Sequence, residues 1–203
     1  MTQKPPSLGD AIRSIRQDRK MSLADASKIT GMSVATLSKI ENGKRSLAYD
    51  KLVGIADALD VDISRLFSDA EPRKDAAQIP GRRSVQRLGE GNLVKTGTYT
   101  YTFLAQDLSR KRLTPIVMEL HARTLEEFGE LLHHDGEEHV MVLEGEVIVA
   151  SEIYAPLHLH VGDSLYLDSR AGHAYLKGSD APARILCTGS AEPPKKLVAD
   201  ETA

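Results

Sequence analysis

All seven histidines of this 203-residue chain fall between positions 121 and 173, and three of them crowd into the run LLHHDGEEHVMVLEGEV. Imidazole nitrogens and carboxylate oxygens are ligands for divalent transition metals, and a His- and Glu-rich turn feeding a strand brings both kinds to one point. Strand alternation puts Glu138, Val140 and Val142 on one face and His139, Met141 and Leu143 on the other, which separates His139 from Glu138. His134 lies four residues before Glu138 across Asp135-Gly136, so the two can converge. His173, after the GDSLYLDSRAG hairpin, supplies a third donor. The predicted ligand set is therefore His134, Glu138 and His173, for a divalent metal such as Fe, Zn, Mn or Ni. Three protein ligands with open positions suit ferrous iron in particular. The same residues equally admit a metal-free polar interior that binds an organic effector. His133 would replace a ligand only by a local backbone shift. His158 and His160 alternate with Leu157, Leu159 and Val161, which read as the buried face, so the two histidines are expected outside. Tyr99 and Tyr101 put two rings on one strand face, where they either line or fill the interior; with Val140 and Tyr175 they form the expected effector pocket.

The elements that must hold these residues are short and β-rich. From Val94 onward the runs VKTGTYTYTFLA, TPIVMEL, EHVMVLEGEVIVAS, LHLHVGDSLYLD, HAYLK and ARILCTG are separated by Gly, Pro, Asp and Ser turns. Six or more such strands predict a small antiparallel barrel or jelly roll over residues 94–190. The single cysteine, Cys187, excludes a disulfide within these residues, a CxxC redox pair and a cysteine zinc site, and reads as a small buried strand residue.

The preceding residues change period. Leu8, Ile12 and Ile15, then Leu23 and Ala26, then Leu37 and Ile40, then Leu52, Ile55, Ala56 and Leu59, then Ile63, Leu66 and Phe67 recur at helical spacing, giving about five short helices over residues 1–68. Ser7, Ser22, Ser33 and Asp62 are the expected N-caps, and Gly31 suits a left-handed helix end. On a helix from Ser33 to Glu41, Leu37 and Ile40 face inward. Ala35, Thr36, Lys39 and Asn42 are left on the outer face, sized for a major groove. Asn42, Lys44 and Arg45 at its end are expected to contact phosphates and set register, and Ser33 at its start completes the expected DNA-binding set. Residues 1–68 carry 11 Lys and Arg against 8 Asp and Glu, while residues 81–203 carry 13 against 18, so the basic excess sits with this helical part. Residues 69–93 read as a charged, Pro- and Gly-containing linker with one strand at Ser84 to Leu88, and residues 191–203 as a flexible tail. No apolar run approaches the ~20 residues of a bilayer span, and MTQKPPSLGD holds no apolar stretch, so a cytoplasmic protein without membrane contact is expected. The fold class expected is α+β with two domains.

Two resemblances follow from these residues. Residues 8–67 resemble the Cro/C1-type (Xre) helix-turn-helix family through Ile12 to Arg16, Gly31-Met32-Ser33, Leu37 to Arg45 and Ile55 to Leu59, with Ala26-Ser27 standing where Leu-Ala is frequent. The resemblance implies binding to a double-stranded DNA operator and a structural ion pair between Arg16 and Glu41. The second part resembles the cupin family, whose first motif is matched by His134, Glu138 and Gly145 and whose second by Gly162 and His173. It departs from that family at Leu132, where the first histidine stands, and at Gly172, where proline is frequent. The combination is similar to one-component transcriptional regulators in which a cupin domain senses a small molecule and dimerises. It is also similar to iron(II)-dependent cupin oxidases of the hydroxypropylphosphonate epoxidase kind, through the His134, Glu138 and His173 triad and through Lys20, Tyr99 and Tyr101. Leu93 and Leu131 stand where that resemblance implies polar substrate contacts.

Overall fold

The computed structural model describes residues 8–44, 47, 49–61, 63–67, 81–91, 93–108 and 111–190. Ser7, Arg45 and Asp62, most of the linker and the whole tail lie outside the described residues. Helices α1 (Leu8–Asp18), α2 (Leu23–Thr30), α3 (Val34–Glu41) and α4 (Tyr49–Ala58) are followed by a 3-10 turn, Ile63–Phe67. The fifth expected helix is thus a 3-10 turn. Their apolar stripes meet in one core of Ile12, Ile15, Ile40, Leu52, Ile55, Leu59 and Leu66, all nearly solvent-free, and Leu37 is buried as well.

The turn that aims α3 is built from local chemistry. Ser22 caps α2 by accepting from the Asp25 backbone N–H, and the Asp25 carboxylate accepts in return from the Ser22 N–H, a reciprocal box that satisfies two first-turn donors. Gly31 ends α2 at φ 68°, where a side chain would be strained. The Ser27 hydroxyl, at a position where the sequence departs from the family it resembles, donates to the Met32 carbonyl at 2.6 Å and braces the turn. Ser33 then caps α3 by accepting from the Thr36 N–H.

The second part is antiparallel throughout. Strands β1 (Leu93–Lys95), β2 (Tyr99–Phe103), β3 (Leu113–Leu120), β4 (Glu137–Glu144), β5 (Glu146–Ser151), β6 (Leu157–His160), β7 (Ser164–Asp168), β8 (His173–Lys177) and β9 (Arg184–Ser190) form two sheets. The larger has the order β1-β2-β3-β9-β4-β7 and the smaller β6-β5-β8. Gly145, at φ 74°, divides the EHVMVLEGEVIVAS run into β4 and β5; a Cβ there would stand 2.2 Å from the Pro182 carbonyl oxygen. The inward faces bury Tyr99, Tyr101, Phe103, Ile116, Val140, Val142, Val147, Tyr175, Ile185 and Cys187.

Two expectations are corrected. Ser84 to Leu88 is not a strand: the Glu90 carboxylate accepts from the Arg87 N–H and its carbonyl from the Gln86 side chain, which closes a turn, and Leu88 is 99% exposed. Leu157 and Val161 do not belong to a buried face, since only Leu159 of that alternation is enclosed; β6 is an edge strand and its ends lie open. A short helix α5 (Leu125–Phe128), capped by Thr124, lies between β3 and β4 and places Phe128 against Tyr99.

Candidate metal centre and nucleic-acid interface

Glu138 is the inward residue at the start of β4, paired in register with Gly189 of β9 and Leu167 of β7. Its neighbours follow the alternation expected from sequence: Glu138, Val140 and Val142 are buried, and His139, Met141 and Leu143 are exposed. His134 is held by its backbone N–H on the Ser169 carbonyl, and His173 pairs with Leu132 through two backbone hydrogen bonds of 2.9 and 3.1 Å. These contacts bring His134 Nε2 to 3.0 Å from Glu138 Oε1 and His173 Nε2 to 3.6 Å from Glu138 Oε2. One ligand atom from each of the three lies within 4.8 Å of the others. The predicted triad therefore converges. His133 does not join it: its ring is half exposed, with Nε2 facing Glu152 at 3.9 Å and Nδ1 at the Arg170 carbonyl.

The donor chemistry fits a cation. His134 Nδ1 lies 3.2 Å from the Asp135 carbonyl and His173 Nδ1 3.0 Å from that of Ala171. A carbonyl only accepts, so in a neutral ring Nδ1 carries the proton and Nε2 turns its lone pair to the Glu138 carboxylate, an arrangement that a shared cation makes attractive. Burial disfavours the Glu138 carboxylate, but the His134 contact, the charges of His134 and His173 and a Tyr175 hydrogen bond outweigh it and hold its pKa below the ordinary 4.5. Burial holds His173 below its ordinary 6.5 against the attraction of Glu138. Burial, reinforced by the Glu138 charge, pushes Tyr175 and Cys187 well up, so both stay protonated at neutral pH.

The expected pocket residues Tyr99, Tyr101, Val140 and Tyr175 are all buried. Tyr99 meets Tyr101 edge-on at 5.5 Å, and Tyr101 stacks on Phe103 at 6.1 Å. Two bonds in this group were not evident in the sequence: the Tyr175 hydroxyl donates to Glu138 Oε2 at 2.7 Å, and the Tyr175 N–H donates to the Tyr99 hydroxyl oxygen at 2.8 Å. Both join strands of different sheets, and no local pattern encodes such a contact.

On α3, Leu37 and Ile40 are buried, while Ser33, Ala35, Lys39, Asn42 and Lys44 are exposed and Thr36 is half-buried. The Thr36 hydroxyl shares a 2.9 Å hydrogen bond with Ser33. Asn42 is exposed yet engaged at both ends, accepting from Arg13 at 2.8 Å and donating to the Ser38 carbonyl at 2.7 Å. Val34, absent from the expected surface, is 44% exposed beside Ala35. Arg16 clasps Glu41 through two bonds of 2.7 and 2.9 Å, as the resemblance implied. Arg13 adds contacts to the Glu41 carboxylate and carbonyl.

Residues 12–66 match the family model for the helix-turn-helix, and residues 118–189 match that for the cupin domain. The chain is 25% identical over 179 residues to the HTH-type transcriptional regulator PuuR of Escherichia coli (strain K12), covering 88% of this chain and 91% of PuuR. A helix-turn-helix transcriptional regulator of solved structure from Vibrio cholerae aligns with 21% identity and a TM-score of 0.59, over 92% of this chain and 96% of that one. Hydroxypropylphosphonic acid epoxidase from S. wedmorenis aligns with 22% identity and a TM-score of 0.46, over 90% and 96%. No helix among the described residues is long and apolar enough to cross a membrane. The chain thus joins a helix-turn-helix domain of the Xre type to a C-terminal cupin domain, and it is similar to a transcriptional regulator along most of its length.

Proposed function

We propose that this regulator reads an operator through α3 as a homodimer, and that its cupin domain holds a divalent metal on His134, Glu138 and His173, where a small-molecule effector binds. The observation that carries the reading is the convergence of two imidazole Nε2 atoms on one buried carboxylate. When bound there, a divalent ion supplies a Lewis-acidic centre with positions left for an exogenous oxygen or nitrogen donor. The chain's own groups orient it: the Asp135 and Ala171 carbonyls fix the two rings, and Tyr175 fixes the carboxylate. On the DNA side, Ala35 and Val34 offer methyls, Thr36 a hydroxyl and Lys39 a cation to base edges. Ser33, Asn42, Lys44 and Arg45 serve the backbone. An effector that favours one arrangement of the paired domains changes operator affinity by its differential affinity for the two arrangements.

Metal analysis after anaerobic addition of ferrous iron to protein without a histidine tag tests this reading. It predicts a single iron per chain, lost in His134→Ala. Iron content that is negligible, or equal in the variant, contradicts the metal part. Oxygen consumption by the loaded protein would turn the same triad toward the oxidase chemistry that its resemblance implies.

A further inference from the structure

The two oxygens of Glu138 have different partners. Oε1 faces His134 Nε2 at 3.0 Å, whereas Oε2 accepts the Tyr175 hydroxyl at 2.7 Å and stands 3.6 Å from His173 Nε2. Tyr175 has little freedom to withdraw: it is 2% exposed, its N–H is fixed on the Tyr99 hydroxyl, and its ring lies 5.7 Å from that of His173. A hydroxyl donates one proton, and here it goes to Oε2. The residue opposite Glu138 in register is Gly189, whose missing Cβ would stand 3.9 Å from Glu138 Cγ, so on β9 only the Cys187 thiol, a weak donor, reaches the carboxylate beside the Tyr175 hydroxyl. Leu132, in the place of a histidine ligand, adds no donor.

We propose, on the basis of the metal reading above, that Tyr175 is a positioning residue that restricts Glu138 to one-oxygen ligation through Oε1 and so reserves open coordination positions for a small monoanionic ligand. The ligand class follows from charge. A divalent ion on two neutral imidazoles and one carboxylate keeps a single uncompensated positive charge. Among the described residues, Glu138 is the only buried carboxylate of the β-sheet part. A second anion therefore has to come with the ligand, and a buried site favours the one that brings the net charge to zero.

The test uses the full chain, cobalt(II) alone as the metal, and azide as the monoanion. Wild type should take up one cobalt per chain and change its visible spectrum on adding azide. In Tyr175→Phe the freed Oε2 should enter the coordination sphere, weaken the visible absorption by raising the coordination number, and reduce azide affinity about tenfold, as changes of ligand support do. An unchanged spectrum with unchanged azide affinity overturns the proposal. Should the variant not fold, the infrared difference between cobalt-loaded wild type and Glu138→Gln decides it. A wide splitting of the carboxylate stretches indicates one-oxygen ligation and supports the proposal; a narrow splitting indicates two-oxygen ligation and overturns it. Failure of wild type to bind cobalt removes the metal reading and this proposal together, whereas binding that ignores Tyr175 removes this proposal alone.

Discussion

Glu138 on β4 meets polar groups from β8 and from the turn that carries His134, and its substitution separates the proposed ligands from their neighbours. Glu138→Ala should abolish stoichiometric iron, whereas His133→Ala should leave it intact, because the His133 ring faces Glu152 and not the triad; elemental analysis of both variants distinguishes them. Lys39 has a similar standing in the helical part: it is exposed on α3, and its carbonyl accepts the Lys44 N–H at 2.8 Å while its side chain makes no contact among those described. Lys39→Ala should weaken operator binding by about 1–3 kcal/mol if it reads a base. If it meets only phosphate, the loss should instead be uniform across sequences and the salt slope about one unit shallower, which fluorescence anisotropy at several salt concentrations resolves. The convergence of the triad was legible at this scale because His134 and Glu138 are close in sequence and strand alternation fixed which carboxylate points inward. The Tyr175 bond was not legible, since it depends on how the β6-β5-β8 sheet faces the larger one.

At the scale of elements, α1 crosses α3 so closely that a Cβ on Gly9 would lie 2.5 Å from the Ile40 carbonyl oxygen and 2.7 Å from that of Glu41. Both opposing atoms are backbone, so Gly9→Ala must push the helices apart and should cost about 1–3 kcal/mol in thermal or denaturant unfolding. The same crossing carries the Glu41 clasp, with the side chain 3% exposed and its partner Arg16 at 13%. Burial alone would raise the Glu41 pKa, but the bonds and charges of Arg16 and Arg13 outweigh it and hold it below the ordinary 4.5. A carboxyl depressed on folding stabilises the fold above its unfolded value and loses that contribution as pH falls through its folded value. Acid unfolding of the helical part should therefore set in below about pH 4.5, and Glu41→Gln should flatten that limb while costing about 3 kcal/mol at neutral pH. Helix positions were readable from period and caps, as Ser22, Gly31 and Ser33 attest. The strand expected at Ser84 to Leu88 failed because alternation without a pairing partner is not a strand, and the Glu90 side chain closes the backbone into a turn instead.

For the whole molecule, the change of period from helical to alternating marked the two domains in the sequence, and the two family matches fall on either side of it, at residues 12–66 and 118–189. Linkage makes the coupling testable in both directions: an effector that lowers operator affinity by some factor must itself bind the operator complex more weakly by that factor. The proposed function requires α3 to read a defined DNA sequence in a paired arrangement. Selection of bound duplexes from a random-sequence pool, with wild type and Lys39→Ala in parallel, tests it most directly. Enrichment by wild type of a two-fold-related site, with half-sites about one helical turn or a multiple apart, is the predicted result, together with loss or relaxation of that site in the variant. Retention of DNA without any enriched sequence, or a site unaffected by Lys39→Ala, would contradict it.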